Sequence, residues 1–237
     1  MRHVMHDPVL RPVITASVVL GAAVGVFGIS FGVGAVSAGA SVAQACVMSL
    51  LVFTGASQFS AVSVIGAGGS TVSALSGALL LAARNGAYSL TIGRLLPGSV
   101  ARRMIAAQLT LDESTAMAVA QREPRAQRTA FWITGLSVYV FWNAGTLAGA
   151  LIGTAVDPVT FGLDAAFPAG FVAMVWPVLA HRRGRIAAGL GAAICLALIP
   201  VAPVGVPILC ASLAILVGIP VGHSPEHAPG RSPETAT

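Results

Sequence analysis

Long runs without charge alternate along the chain with short basic segments. The first run, residues 12–83, holds 72 residues without Asp, Glu, Lys or Arg. A transmembrane helix needs about 20 apolar residues, so this run predicts two or three crossings, which we place at 13–36, 42–65 and 71–92. The run is also too long to be a cleaved signal peptide.

Further apolar runs follow. Residues 129–156 predict one span, and residues 165–180 predict a short segment. Residues 186–222 predict two crossings joined by a turn, because the prolines near their centre break a helix; these are Pro200, Pro203 and Pro207. The pattern as a whole predicts an all-α, polytopic transmembrane bundle of about six to eight membrane segments, with one of them broken or re-entrant.

The composition agrees with this class. Hydrophobic residues make up 56% of the chain and charged residues 9%, with a mean hydropathy of +0.86. A soluble domain is about 25% charged, so the composition excludes a soluble enzyme and a nucleic-acid-binding domain. All 13 basic residues are Arg. They lie mostly between apolar runs, where they orient a protein in a lipid bilayer rather than bind nucleic acid.

The positions of the arginines predict an orientation. The clusters at 122–128 and 182–185 should be cytoplasmic, and so should an N-terminal segment at 1–12. The acidic loop between the two clusters should lie outside. The arginines at 94–103 also favour the cytoplasm, which conflicts with three complete spans before them. Either an early segment is re-entrant or the N-terminus is outside, and the sequence leaves both open.

We predict a single transmembrane domain at 13–222 and a disordered tail at 223–237, which is rich in Pro, Ser, Glu and Thr. The tail histidines are interpreted as solvated residues. The three cysteines are scattered in apolar runs, so neither a disulfide nor a metal site is expected. Walker and HExxH motifs are absent from the sequence. We therefore expect no enzymatic activity and no cofactor.

Small and polar residues interrupt the second apolar run near its centre, in the sequence FTGASQFS. Glycine permits a helix break, and a helix broken at mid-membrane is how transporters expose backbone groups to a substrate. The alternative is a helix contact in which Gln58 bonds to a neighbouring helix. We name Gly55, Ser57 and Gln58 as candidate substrate-binding residues.

A charge stands near or within the third predicted span, at Arg84, with Asn85 and Tyr88 close by. A guanidinium group can bind a carboxylate through two parallel hydrogen bonds. The alternative is an arginine that extends its head group to the membrane surface. We name all three residues as candidate substrate-binding residues.

An acidic pair, Asp112 and Glu113, stands in the mostly apolar segment 104–121. It could carry a coupling proton or meet a substrate ammonium group. The alternative is a solvated helix start capped by Thr110 or Asp112, and the segment itself is a polar span, a half-span or an interfacial helix. Asp164 is expected to cap a later span.

Glycines precede the FTGASQFS segment and recur before residue 162, which suggests a weak internal repeat of the kind found in secondary transporters. The two sets are Gly28, Gly32, Gly34 and Gly145, Gly149, Gly153.

The run MSLLVFTGASQF at 48–59 closely resembles the signature of the AzlC family, the large subunits of branched-chain amino-acid exporters. Three later segments resemble further family motifs in the same order: RNGAY at 84–88, with Ala82 where a polar residue is common, LDE at 111–113, and GLDAAFPAGF at 162–171. The resemblance covers residues 10–220.

The resemblance implies export of valine, leucine and toxic analogues across the bacterial cytoplasmic membrane. It also implies a small hydrophobic partner of the AzlD type. Because no nucleotide site is present in the sequence, a proton gradient is the expected energy source. The alternatives are a permease subunit of an ATP-driven transporter and a membrane scaffold that transports nothing.

Overall fold

The structure is a computed structural model that describes residues 7–155, 172, 175, 176 and 178–214. Its regular elements are helices: α1 Leu10–Ser37, α2 Val42–Val52, α3 Ala56–Gly66, α4 Thr71–Leu95, α5 Val100–Gln108, α6 Asp112–Val119, α7 Pro124–Ala155, α8 Arg182–Leu198 and α9 Val206–Ala211. Short 3₁₀ turns lie at Val178–Ala180 and Ser212–Ala214. The all-α prediction is confirmed for the described residues.

Helices α1 and α7 form the centre of the molecule. Of the described helices, these two are long and apolar enough to cross a membrane by length and composition. They run parallel, because contacts join residues in increasing order along both. Thr134 donates a hydrogen bond to Ser17 at 2.8 Å, and Gly153 faces Val33 near the other end.

Glycine allows the two helices to approach closely. A Cβ on Gly28 would lie 2.5 Å from the Trp142 carbonyl oxygen. From the other side, Gly145 and Gly149 face the α1 backbone, where an added Cβ would collide with carbonyl oxygens. Glycines of both predicted repeat halves thus lie on the two sides of one interface, and the residues that would complete the second half, 156–171, lie outside the described part of the chain.

Helices α2 and α3 form a hairpin rather than one crossing. A Cβ on Gly66, the last residue of α3, would lie 3.2 Å from the Cβ of Ala38, which follows α1 directly. The chain therefore leaves the end of α1 and returns to it. Each arm has 11 residues, or about 16 Å, close to half of a hydrocarbon core of about 30 Å. The predicted single crossing at 42–65 is wrong, and the re-entrant alternative describes this segment.

Helices α5 and α6 form a second hairpin that enters from the opposite end. Gln108, at the end of α5, donates to the Leu50 carbonyl oxygen near the tip of the first hairpin at 3.1 Å. After α6 the chain is back at the start of α7, where Gln127 donates to the Gln121 carbonyl oxygen at 2.9 Å. The segment predicted as a polar span, half-span or interfacial helix is therefore a pair of half-length helices.

Neither Thr110 nor Asp112 caps α6, in contrast to the interpretation as a capped helix start. Leu111 occupies the cap position, and its N–H donates to the Ser114 hydroxyl at 2.9 Å. The Thr110 hydroxyl instead donates back to the Ala106 carbonyl oxygen at 2.7 Å. The carboxylate of Asp112 is thus left for other partners.

The two hairpins resolve the conflict over orientation. Arg125 forms an ion pair with Asp7, just before α1, at 3.4 Å. Arg128 donates to the Leu95 carbonyl oxygen at the end of α4 at 3.0 Å. The starts of α1 and α7 and the end of α4 therefore share one end of the molecule, which we call the arginine end. Because α2–α3 does not cross, arginines 94–103 can lie there as the positive-inside rule expects.

Helices α8 and α9 lie outside this core. They are separated at residues 199–205, where the prolines predicted a break. Gly205 packs against Ser73 at the start of α4, where an added Cβ would lie 2.7 Å from the Ser73 Cβ. The arginines at 182–185 lie in the first turn of α8, at the end of that helix away from residues 199–205. The segment 156–171, with Asp164 and the GLDAAFPAGF motif, and the tail 223–237 lie outside the described residues.

Candidate functional site

A cavity of about 70 Å³ lies where the tips of the two hairpins meet. Its wall is formed by the tips of both hairpins and by the middles of α1, α4 and α7. The lining residues are Val24, Phe27, Phe53, Thr54, Gly55, Arg84, Asn85, Leu111, Asp112, Glu113, Val138 and Trp142. A single water needs roughly 10–15 Å³ by the same measure, so the cavity can hold several waters or a small ligand.

The first tip is a short, strained segment of backbone. Phe53 has φ +31° and Gly55 has φ +58°. Glycine adopts such values at little cost, whereas a residue with a Cβ rarely does. Gly55 has no side chain to cap the first turn of α3, and its own N–H donates to the Gln58 side chain. The residues of this tip therefore interrupt the helix. They line the cavity near the middle of α7.

Gln58 holds the break together. Its side chain is fully buried, with 0% exposed. Its Oε1 accepts a hydrogen bond from the Gly55 N–H, and its Nε2 donates to the Met48 carbonyl oxygen, both at 3.2 Å. One side chain thereby satisfies backbone groups on both arms, which an apolar environment requires. Gln58 does not line the cavity, and neither does Ser57, whose hydroxyl bonds to that of Thr54.

Arg84 and Asp112 form an ion pair in the cavity wall. The guanidinium Nη1 lies 2.7 Å from Asp112 Oδ2. Arg84 stands near the middle of the 25-residue helix α4, and Asp112 begins α6. An unpaired charge at the middle of a membrane costs roughly 2.5–3.5 kcal/mol on insertion scales, so the pair lowers the cost of both charges. Tyr88, one turn after Arg84, lies beside the same carboxylate.

Three cavity residues carry buried polar atoms without a hydrogen-bond partner. They are Oδ1 of Asp112, Oδ1 of Asn85 and Nε1 of Trp142. Buried polar atoms are nearly always hydrogen-bonded in folded proteins. Three residues of the cavity wall therefore carry two acceptors and one donor that can each form a further hydrogen bond.

The remaining wall is apolar and aromatic, and its Phe53 and Trp142 pack against rings that lie outside the wall. Phe31, Phe59 and Trp142 form a cluster with ring centroids 5.7–6.0 Å apart. Phe53 packs edge-on against Tyr139 at 4.8 Å. These contacts fix the position of the Trp142 ring beside the break.

Of the predicted site residues, Gly55, Arg84, Asn85, Asp112 and Glu113 line one cavity. Tyr88 lies beside Asp112 and is not part of the cavity wall. Ser57 and Gln58 form hydrogen bonds at the break. Sequence reasoning missed Val24, Phe27 and Val138, because an apolar residue in an apolar run carries no distinguishing signal. Within the described residues, no group of three or more His, Cys, Asp or Glu could hold a metal ion.

Apolar helices around a polar, charged cavity define a helical membrane protein with an internal site. The comparisons agree with this class. The chain is similar to an "Uncharacterized membrane protein" of Helicobacter pylori, with 28% identity over 189 residues, which is 78% of this chain and 82% of the relative. No solved structure matches the chain.

The family model described as "AzlC protein" matches residues 19–156, more than half of the chain. The protein therefore belongs to the AzlC family, which is associated with membrane transport of amino acids. The matched region contains both hairpins, α4 and every residue of the cavity wall. The resemblance noted from the sequence is thus confirmed for residues 19–156.

Proposed function

We propose that this chain is a carrier subunit that exports branched-chain amino acids such as valine and leucine across the bacterial cytoplasmic membrane. The observation that carries the proposal is the Arg84–Asp112 pair in a cavity with apolar walls. A free amino acid needs a cation for its carboxylate, an anion for its ammonium group and an apolar surface for its side chain. The cavity offers all three within one wall.

The placement of the cavity supports transport rather than static binding. Its walls come from the middles of α1, α4 and α7, and each end of the molecule contributes one half-length hairpin. Transporters commonly bind substrate near the bilayer midplane at broken helices. Movement of one hairpin or the other would open the cavity to one side at a time.

The energy source that we propose is the proton gradient. Asp112 and Glu113 are adjacent carboxyl groups in the cavity wall beside a single guanidinium group. A proton on one of them would leave the cavity with balanced charge. We also propose a small hydrophobic partner of the AzlD type, on the strength of the family membership.

The test is efflux of labelled valine from cells that carry the gene together with that of its small partner. We expect faster efflux than in cells without the gene, and we expect collapse of the proton gradient to abolish the difference. Arg84→Ala should remove it too, while Arg183→Ala, which removes an exposed arginine, should not. Equal efflux with and without the gene would exclude the proposal, and efflux that needs ATP after collapse of the gradient would support an ATP-driven permease instead.

A further inference from the structure

Trp142 lies in the cavity wall with a hydrogen-bond donor that nothing satisfies. The side chain is 4% exposed, and its Nε1 is buried without a partner. Its ring stands next to the break, since a Cβ on Gly55 would lie 3.9 Å from Cη2 of the indole. An indole N–H can donate but cannot accept.

The unpartnered atoms of the cavity fall into two classes. Asp112 Oδ1 can only accept a hydrogen bond when the carboxyl group is ionised, whereas Trp142 Nε1 can only donate. In valine or leucine the ammonium group is the only donor, and the carboxylate is the only acceptor. The two classes therefore determine which end of the bound amino acid contacts which residue.

We infer that Trp142 is a substrate-binding residue that donates its indole N–H to the carboxylate of the amino acid, while Asp112 accepts from the ammonium group. This inference rests on the proposed function and adds the orientation of the substrate. The carboxylate then lies between Trp142 and Arg84, and the adjacent Arg84–Asp112 pair matches the short separation of the two charged groups in the substrate.

The backbone agrees with this orientation. Gly55, the cap residue of α3, has no side chain to accept from the N–H groups of the first turn. Uncapped N–H groups and the helix dipole favour a negative group at that end. Both features place the carboxylate on the Trp142 side of the cavity.

The direct test compares two ligands on the purified full-length protein by calorimetry. L-valine has both charged groups, and isobutylamine is valine without its carboxylate. Trp142→Phe keeps an aromatic ring and removes the N–H. We expect it to weaken valine binding by about tenfold or more, the loss of one hydrogen bond to a charged group, and to leave isobutylamine binding unchanged. Retained isobutylamine binding also shows that the variant is folded.

Trp132→Phe is the matched control, because its Nε1 is likewise buried without a partner but lies outside the cavity wall. It should bind valine as the wild type does. A second measurement needs no substitution: the ¹⁵N-indole resonance of Trp142 should shift with valine and not with isobutylamine.

Each remaining outcome contradicts a specific statement. Unchanged valine affinity in Trp142→Phe would overturn the inference and leave the proposed function intact. Equal weakening for both ligands would assign Trp142 a packing role and also overturn it. Failure of the wild-type protein to bind valine or leucine would overturn the proposed function itself, and the inference with it.

Discussion

The Arg84 guanidinium group contacts the Asp112 carboxylate at 2.7 Å, and this pair joins the middle of α4 to the first turn of α6. Both side chains remain about a third exposed to the cavity and its surroundings, at 35% and 31%. The pair is therefore accessible enough to exchange partners with a ligand, yet it is held between two helices.

Arg84→Ala should abolish transport and leave Asp112 as an unpaired charge. Removing one partner of a fully buried pair costs about 3–5 kcal/mol, and the partial exposure here reduces this to about 1–2 kcal/mol. The double variant Arg84→Ala with Asp112→Ala should recover most of the lost melting temperature, but no transport. Valine efflux and thermal unfolding measured on the same membranes check both parts. Normal efflux in the single variant would show that Arg84 only anchors α4.

Gln58→Leu should destabilise the first hairpin. The variant keeps the approximate shape of the side chain but removes the hydrogen bonds to the Gly55 N–H and the Met48 carbonyl oxygen. Each unsatisfied buried group costs about 1–3 kcal/mol, so the melting temperature should fall clearly and transport should be lost with it. Gln58→Glu retains the acceptor for Gly55, and its melting temperature should lie between those of Gln58→Leu and the wild type. An unchanged melting temperature in Gln58→Leu would contradict the role assigned to this amide.

The glycine interface between α1 and α7 predicts a sharp difference between two Gly→Ala substitutions. Gly28→Ala places a Cβ 2.5 Å from the Trp142 carbonyl oxygen, so the helices must separate. Gly86→Ala meets nothing within 4 Å and should stabilise α4 by about 0.5–1 kcal/mol, because alanine is the better helix former. Unfolding of the two variants in detergent gives the comparison. Equal stability would mean that α1 and α7 do not pack this closely.

The re-entrant hairpin can be tested by labelling. In a variant without native cysteines, Ser37→Cys at the end of α1 and Ala67→Cys after α3 should both react with a membrane-impermeant thiol reagent added outside intact cells. Gln127→Cys and Gly184→Cys, in the predicted cytoplasmic segments, should resist it. If α2–α3 crossed the membrane as one span, Ser37→Cys and Ala67→Cys would label from opposite sides.

Local sequence pattern located most of the elements. Charge-free runs of sufficient length marked α1, α4 and α7, and the small polar residues around Gly55 marked the break. The direction of the chain after the break was not predictable from these residues, because distant contacts determine it. Tyr139 donates to the Leu50 carbonyl oxygen, and Ser49 bonds to Thr146, across 89 and 97 residues of sequence.

For the candidate site, the sequence likewise identified individual residues but not the contacts between them. Arg84 and Asp112 were both identified because a charge in an apolar segment is costly. Their pairing was not identified, since it depends on the second hairpin folding back towards the middle of α4. Trp142 lies in an apolar run, and only the structure shows that its N–H has no partner.

The half-length hairpin has a consequence for biogenesis. Each arm of α2–α3 is too short to be inserted as an independent membrane segment, and its tip is braced by Tyr139, which the ribosome adds more than 80 residues later. A nascent chain that ends before α7 therefore contains α1 and the α2–α3 hairpin but lacks the helix against which the hairpin tip packs. We therefore expect the hairpin to remain at the membrane surface, or bound to an insertase, until α7 has been synthesised.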